Sequence, residues 1–180
     1  MSSNKAPLSS NKALLSFSNA LLLVLALAIA GCGFRLRGSA ELPFETLYIP
    51  QSTSGIGLDL KRNIEAGTSA KVITDARKAQ AILQVDQESR GKQILSLTGA
   101  GRVREYQLLY TVVFRVHDGK GGEYVPSNTI QLSREMTFAD TQILAKESEE
   151  QLLFRDMQVE AVQHILRRLS AAQVPTPKVQ

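Results

Sequence analysis

The chain has 180 residues, with 21 lysines and arginines against 17 aspartates and glutamates, a formal net charge of +4 and one cysteine. A length of this order holds about one domain. A lone cysteine excludes an internal disulfide framework, and the near-balanced charge lacks the basic footprint of a nucleic-acid-binding domain.

The first element is an apolar run, Ala20 to Ala30, that ends abruptly before Cys32. It is about half of the roughly 20 apolar residues that a membrane-spanning helix needs. Lys5 and Lys12 precede it, and no acidic residue occurs before Glu41. This is the pattern of a secretion signal: a positive start, a short apolar stretch and a small-residue close. Ile29-Ala30-Gly31-Cys32 matches the bacterial lipobox. In that motif the cysteine thiol takes a diacylglyceryl group, the chain is cut before Cys32, and the new amine is acylated. Several acyl chains on one residue satisfy the requirement for stable anchoring. Gly33 rather than Asp follows Cys32, which favours the outer over the inner membrane. Residues 1–31 are thus expected to be a signal peptide, and the mature chain has about 149 residues (180 less the leader's 31). Losing the leader's two lysines takes the charge from +4 to +2. With Cys32 lipidated, no thiol remains for redox chemistry or a metal site.

Residues 32–44 read as a lipidated tether. Glu45 to Pro50 is a short strand stopped by Pro50, and Gln51 to Gly55 is a turn. Gly57 to Ala66 is a weak helix, with Leu60 and Ile64 four apart and Gly67 suited to a C-terminal cap. Lys71 to Thr74 is a second short strand. Strand, helix and strand in sequence suggest a small parallel βαβ unit.

Three segments then alternate with a period of two. Ala81, Leu83 and Val85 form the apolar face of Ala81–Glu88. Tyr106, Leu108, Tyr110, Val112, Phe114 and Val116 form that of Glu105–His117. Ile130, Leu132, Met136 and Phe138 form that of Thr129–Phe138, where Arg134 interrupts the stripe. Arg134 is paired with a carboxylate, displaced by a bulge, or facing a ligand or partner. Turns at Gly99-Ala100-Gly101 and Asp118–Gly122 join the three strands into an antiparallel meander. Ala145 to Ala171 is the strongest helix, of about seven turns, with Leu153, Met157, Ala161, Ile165 and Leu169 at steps of four. Glu147, Glu149 and Glu150 near its start, and Arg167 and Arg168 near its end, complement the helix dipole. The predicted architecture is α+β: a two-layer domain over residues 45–171, with helices on one face of a mixed, mostly antiparallel sheet. Residues 172–180 form a tail.

Catalytic motifs are missing from this sequence. His117 and His164 lack the spacing of a zinc helix and read as surface or satisfied core histidines. No GxSxG elbow is present. The Gly99–Gly101 turn joins two strands and does not open a helix, so it is no phosphate loop. No catalytic residue, metal ligand or cofactor is assigned. Arg102 and Arg104 after that turn, and Lys146 at the opening of the long helix, are candidates for an anion-binding patch.

CGFRLRG after the lipobox, EYQLLYTVVFRV, SREMTF, AKESEEQ and VEAVQHILRRL together resemble the LPS-assembly lipoprotein family, LptE. The resemblance covers most of the mature chain and implies two helices against a four-stranded sheet, so that one of the two short N-terminal strands is expected to be no more than a turn. It further implies an outer-membrane lipoprotein facing the periplasm, anchored through Cys32. Family members help the large LptD β-barrel to assemble, partly plug its lumen, and bind lipopolysaccharide on its way to the cell surface. The family's basic lipopolysaccharide contacts correspond here to Lys146. Some relatives carry a basic residue where this chain has Gly99, and Arg102 and Arg104 stand a few positions later as substitutes. The alternative is a generic periplasm-facing lipoprotein, either a small hydrolase or another envelope binder; the missing nucleophile motif argues against the hydrolase.

Overall fold

In the computed structural model, residues 41–175 are described. The signal peptide, Cys32, the tether up to residue 40 and the end of the tail therefore lie outside the described residues. Seven main elements follow in order: β1 (Thr46–Tyr48), α1 (Gly55–Gly67), β2 (Lys71–Ile73), β3 (Ala81–Leu97), β4 (Val103–His117), β5 (Glu123–Thr137) and α2 (Ile143–Ser170). Short 3-10 turns at Ala76–Lys78 and Asp140–Gln142 lead into β3 and α2.

All five strands join one sheet in the order β2-β1-β3-β4-β5. The four-stranded count therefore gives way to five, because both short N-terminal segments pair. β1 runs parallel to β2, with Leu47 opposite Val72, and parallel to β3, with Leu47 opposite Ala81. β1, α1 and β2 form the predicted βαβ unit, and β3, β4 and β5 form the predicted antiparallel meander. The two helices and the sheet share one core. Leu47, Leu60, Ile64, Leu108, Phe114 and Ile165 are all fully buried in it. Burying a side chain of that size stabilises the fold by about 1.5–3 kcal/mol. Phe44 is also buried and Leu42 packs against the core, so the core begins inside the stretch expected to be tether.

The strands run longer than their sequence period indicates. β3 was expected to end near Glu88 but reaches Leu97. Its pairing with β4 shifts between Val85 and Gln87, and this bulge exchanges the faces. Before it, Ala81 and Leu83 are buried. After it Glu88, Arg90, Lys92 and Ile94 lie opposite Val112, Tyr110, Leu108 and Tyr106. Directly opposed residues share a face, so the second half of β3 turns polar side chains toward the helices. β5 was expected from Thr129 but begins at Glu123 and contains Pro126. It is an edge strand, where a missing N–H need not disrupt the ladder.

The α1 terminus also differs from the expected glycine cap. Gly67 is the last helical residue, and its φ is not positive. Thr68 closes the helix instead, donating from both its N–H (3.0 Å) and its hydroxyl (2.8 Å) to the Ile64 carbonyl. α2 was expected from Ala145 and begins two residues earlier. It crosses the meander with β3 on one flank and β5 on the other. Arg90 donates to Gln158 at 2.9 Å and Lys92 to Glu150 at 2.5 Å, while Arg134 is paired with Glu160. Of the three readings of Arg134, the carboxylate pair is the one observed. α1 lies beside the second half of α2, where Gln158 donates to Asp59 at 2.7 Å.

Candidate functional site

The expected site residues depend on three junctions at one end of the sheet. In the β3–β4 turn, the Thr98 N–H donates to the Arg102 carbonyl (2.7 Å) and the Gly101 N–H to the Thr98 carbonyl (2.9 Å). Gly101 takes φ +75° there, a conformation that favours glycine. Just past the turn, the Arg104 carbonyl accepts from the Phe138 N–H at 2.8 Å, which ties β4 to the end of β5. The neighbouring Thr137 hydroxyl accepts from Lys146 Nζ at 3.1 Å, which ties β5 to the start of α2. Arg102, Arg104 and Lys146 thus come from three separate elements to one end of the molecule.

Their environments differ. Arg102 and Arg104 are exposed. The Lys146 side chain is only 14% exposed, and its ammonium also meets Glu149 at 2.8 Å. Lys146 is therefore a strut between sheet and helix as well as a positive charge. Lys92 is a further cation that sequence reasoning missed. Its ammonium lies 4.3 Å from the Tyr106 ring centroid and pairs with Glu150. No sequence signal pointed to it, because the bulge that turns it toward α2 is seen only in the strand register.

The same end exposes large apolar side chains. Ile94, Leu95 and Leu97 close β3, and Ile143 and Leu144 open α2; Leu144 is 79% exposed. Cations beside exposed aliphatic groups suit a ligand that is both anionic and oily.

The described residues bring no catalytic set together. His117 lines a cavity of about 310 Å³ at the β4–β5 turn with Gln84, Arg115 and Glu123, and no serine, threonine or cysteine among the described residues lines it. Its Nδ1 accepts from the Gly119 N–H at 3.1 Å. Ser54 and Glu88 line a different cavity of about 230 Å³, which has no histidine. His164 sits 3.7 Å from Glu160 on α2. Among the described residues no group of three His, Cys, Asp or Glu could hold a metal ion. No described helix is long and apolar enough to cross a membrane.

An open mixed sheet under two helices, with cations beside exposed aliphatic side chains at one end, has the features of a surface that binds an amphipathic anion. Comparison with known proteins makes this specific. The sequence profile of the LptE family, described as lipopolysaccharide-assembly, matches residues 44–169. An LPS-assembly lipoprotein LptE of Pectobacterium atrosepticum is 30% identical over 156 residues, covering 82% of this chain and 83% of that one. One from Yersinia pestis is 30% identical over 161 residues, covering 83% and 74%. Among solved structures, a lipoprotein B of Nitrosomonas europaea is 47% identical with a TM-score of 0.67, covering 77% of this chain and 91% of that one. The rare lipoprotein B of Shewanella oneidensis is 25% identical with a TM-score of 0.60, covering 70% and 92%. The chain belongs to the LptE family of lipopolysaccharide-assembly lipoproteins.

Proposed function

We propose that this protein is an outer-membrane lipoprotein, anchored through Cys32 on the periplasmic side, that assists assembly of the LptD β-barrel and plugs its lumen. In that position it takes part in moving lipopolysaccharide to the cell surface. The reading rests on one observation above the others. The family match spans residues 44–169, which take in the whole sheet and nearly all of α2. The interior of such a barrel is polar, and a compact domain whose outer sheet face carries Ser89, Thr111, Gln131 and Ser133 between β3, β4 and β5 suits it. Its lipopolysaccharide contacts are Lys146, Arg102 and Arg104, whose charges suit phosphate, beside the aliphatic groups of Ile94 and Leu144. The protein does no chemistry in this role; it binds and scaffolds.

The test is recovery of the tagged, lipidated protein from detergent-extracted outer membranes, with partners identified by mass. A large β-barrel at one-to-one stoichiometry is the expected result. A lipidated, folded protein that brings down no barrel would reduce the account to a family member of unassigned partner. Charge reversal at Lys146, Arg102 and Arg104 together should weaken lipopolysaccharide binding, the more so at low salt. Unchanged binding would remove the patch.

A further inference from the structure

The two lysines of the site end are already occupied by carboxylates, and both carboxylates come from one turn of α2. Glu149 meets Lys146 at 2.8 Å and Glu150 meets Lys92 at 2.5 Å. The lysines arrive from different directions. Lys146 stands on α2 itself and reaches back to Thr137 of β5, while Lys92 rises from β3. Adjacent glutamates that point to opposite flanks of one helix thereby neutralise both. Glu147, two residues before Glu149, is exposed to solvent. The helix begins at Ile143 and its first turn holds no acidic residue, so the helix dipole does not account for these glutamates; only Glu149 and Glu150 sit on these lysines.

We propose that Glu149 and Glu150 are resident counter-ions that hold the places of an anionic ligand's phosphates and are displaced when it binds. The inference rests on the anion-binding reading of this end and adds two specificity-determining residues to it. An ammonium has three donors. Thr137 and Glu149 take two of those of Lys146, and its side chain is only 14% exposed, so an incoming phosphate reaches the ammonium by taking the place of Glu149. A phosphate-bearing glycolipid can replace both carboxylates, gaining charge-assisted hydrogen bonds in exchange. A glycolipid without phosphate offers nothing to replace them, so it is refused. When the ligand leaves, the carboxylates return and the lysines are never left bare.

The experiment uses the full lipidated chain in detergent, with purified lipopolysaccharide as the probe and a phosphate-free glycolipid of equal chain count as comparator. Partly exposed ion pairs have modest strength, so removing both competitors in Glu149→Gln/Glu150→Gln should tighten lipopolysaccharide binding by roughly two- to thirty-fold. Glu147→Gln/Asp156→Asn makes the same change of charge on the same helix without freeing either lysine, and should tighten binding clearly less. Lys92→Ala/Lys146→Ala should weaken binding. If the lysine variant binds as the wild type does, the anion-binding reading itself fails and takes this inference with it. If the lysine variant binds weakly but Glu149→Gln/Glu150→Gln and Glu147→Gln/Asp156→Asn behave alike, the anion-binding reading survives and displacement is overturned. Circular dichroism of each variant, with the lipopolysaccharide-binding salt dependence as second readout, separates a melted helix from a freed lysine: displacement predicts a steeper salt dependence in Glu149→Gln/Glu150→Gln than in wild type.

Discussion

Replacing Tyr110 by Phe removes one oxygen from the middle of the sheet and tests how the layers are tied. Tyr110 is fully buried, and its hydroxyl donates to Glu88 Oε1 at 2.6 Å. A hydrogen bond to a charged group contributes about 1.5–3 kcal/mol. Glu88 is exposed, so water can take over part of the hydroxyl's role. The expected loss near pH 7 is therefore about 1–2 kcal/mol, or a melting temperature lower by roughly 3–8 °C for a domain of this size. The pH dependence adds an independent check. Burial, then the hydrogen bond and the negative charge of Glu88, hold the Tyr110 hydroxyl protonated well above the ordinary tyrosine range. A folded-state pKa raised above the unfolded value gives stability that is complete below the unfolded pKa, about 10. It is lost as pH rises from there toward the folded value, because only the unfolded chain releases the proton. The slope is up to about 1.4 kcal/mol per pH unit, and the Phe variant lacks it. Urea melts at pH 7, 9, 10 and 11 should show the gap between wild type and variant narrowing above pH 10. A gap that is absent at pH 7, or constant from pH 9 to 11, would refute this account of Tyr110.

Two glycines of α1 should respond to Ala with opposite sign. A Cβ on Gly57 would overlap the Gln51 carbonyl group, with its carbon only 2.7 Å away, so Gly57→Ala should unfold the domain or cost several kcal/mol. Gly67 has nothing within 4 Å of such a Cβ, and Gly67→Ala should stabilise by about 0.5–1 kcal/mol; thermal melts of the two variants decide this. His117→Ala/His164→Ala should leave envelope function intact, since the two histidines stand apart, one in a turn cavity and one beside Glu160. Loss of envelope integrity in a folded, lipidated double variant would contradict the non-catalytic reading.

How much of this was legible in the sequence depends on whether a residue's role is local. β4 was readable because an unbroken alternation from Tyr106 to Val116 places five fully buried side chains in a row, Leu108 to Val116. α2 was readable because its buried face repeats from Met157 through Ala161 and Ile165 to Leu169. The second half of β3 was not, since one extra residue after Val85 reverses the alternation, and the new inward face carries Glu88, Arg90 and Lys92. A polar stripe facing a helix has no period that separates it from an exposed one. Arg134 stood out on its strand, yet its partner Glu160 lies 26 residues away and could not be named. The candidate site divides in the same way. Lys146, Arg102 and Arg104 stood out in the sequence as cations at a turn and a helix opening, and the meander brings the β3–β4 turn and the end of β5 to the same end of the sheet. The involvement of Lys92, and the occupation of both lysines by carboxylates, follow only from side-chain geometry.

That end of the molecule is also where the helical layer is incomplete. β3, β4 and β5 are 17, 15 and 15 residues long, or about 50 Å at strand rise, whereas α1 has 13 residues and spans about 20 Å. Only α2 extends over the far half, and none of its residues before Phe154 is buried. Its first turns are therefore held to the sheet by the Lys92–Glu150 pair and the Lys146–Thr137 contact rather than by buried apolar side chains. A segment with so few buried contacts opens at low free energy. Hydrogen exchange should show the amides of residues 147–152 exchanging at least about ten times faster than those of Met157–Leu169. Lipopolysaccharide should slow exchange in the first group and leave the second unchanged. Equal protection along the whole helix in the free protein would mean that the site end is rigid. The carboxylates could then leave their lysines only by side-chain rotation.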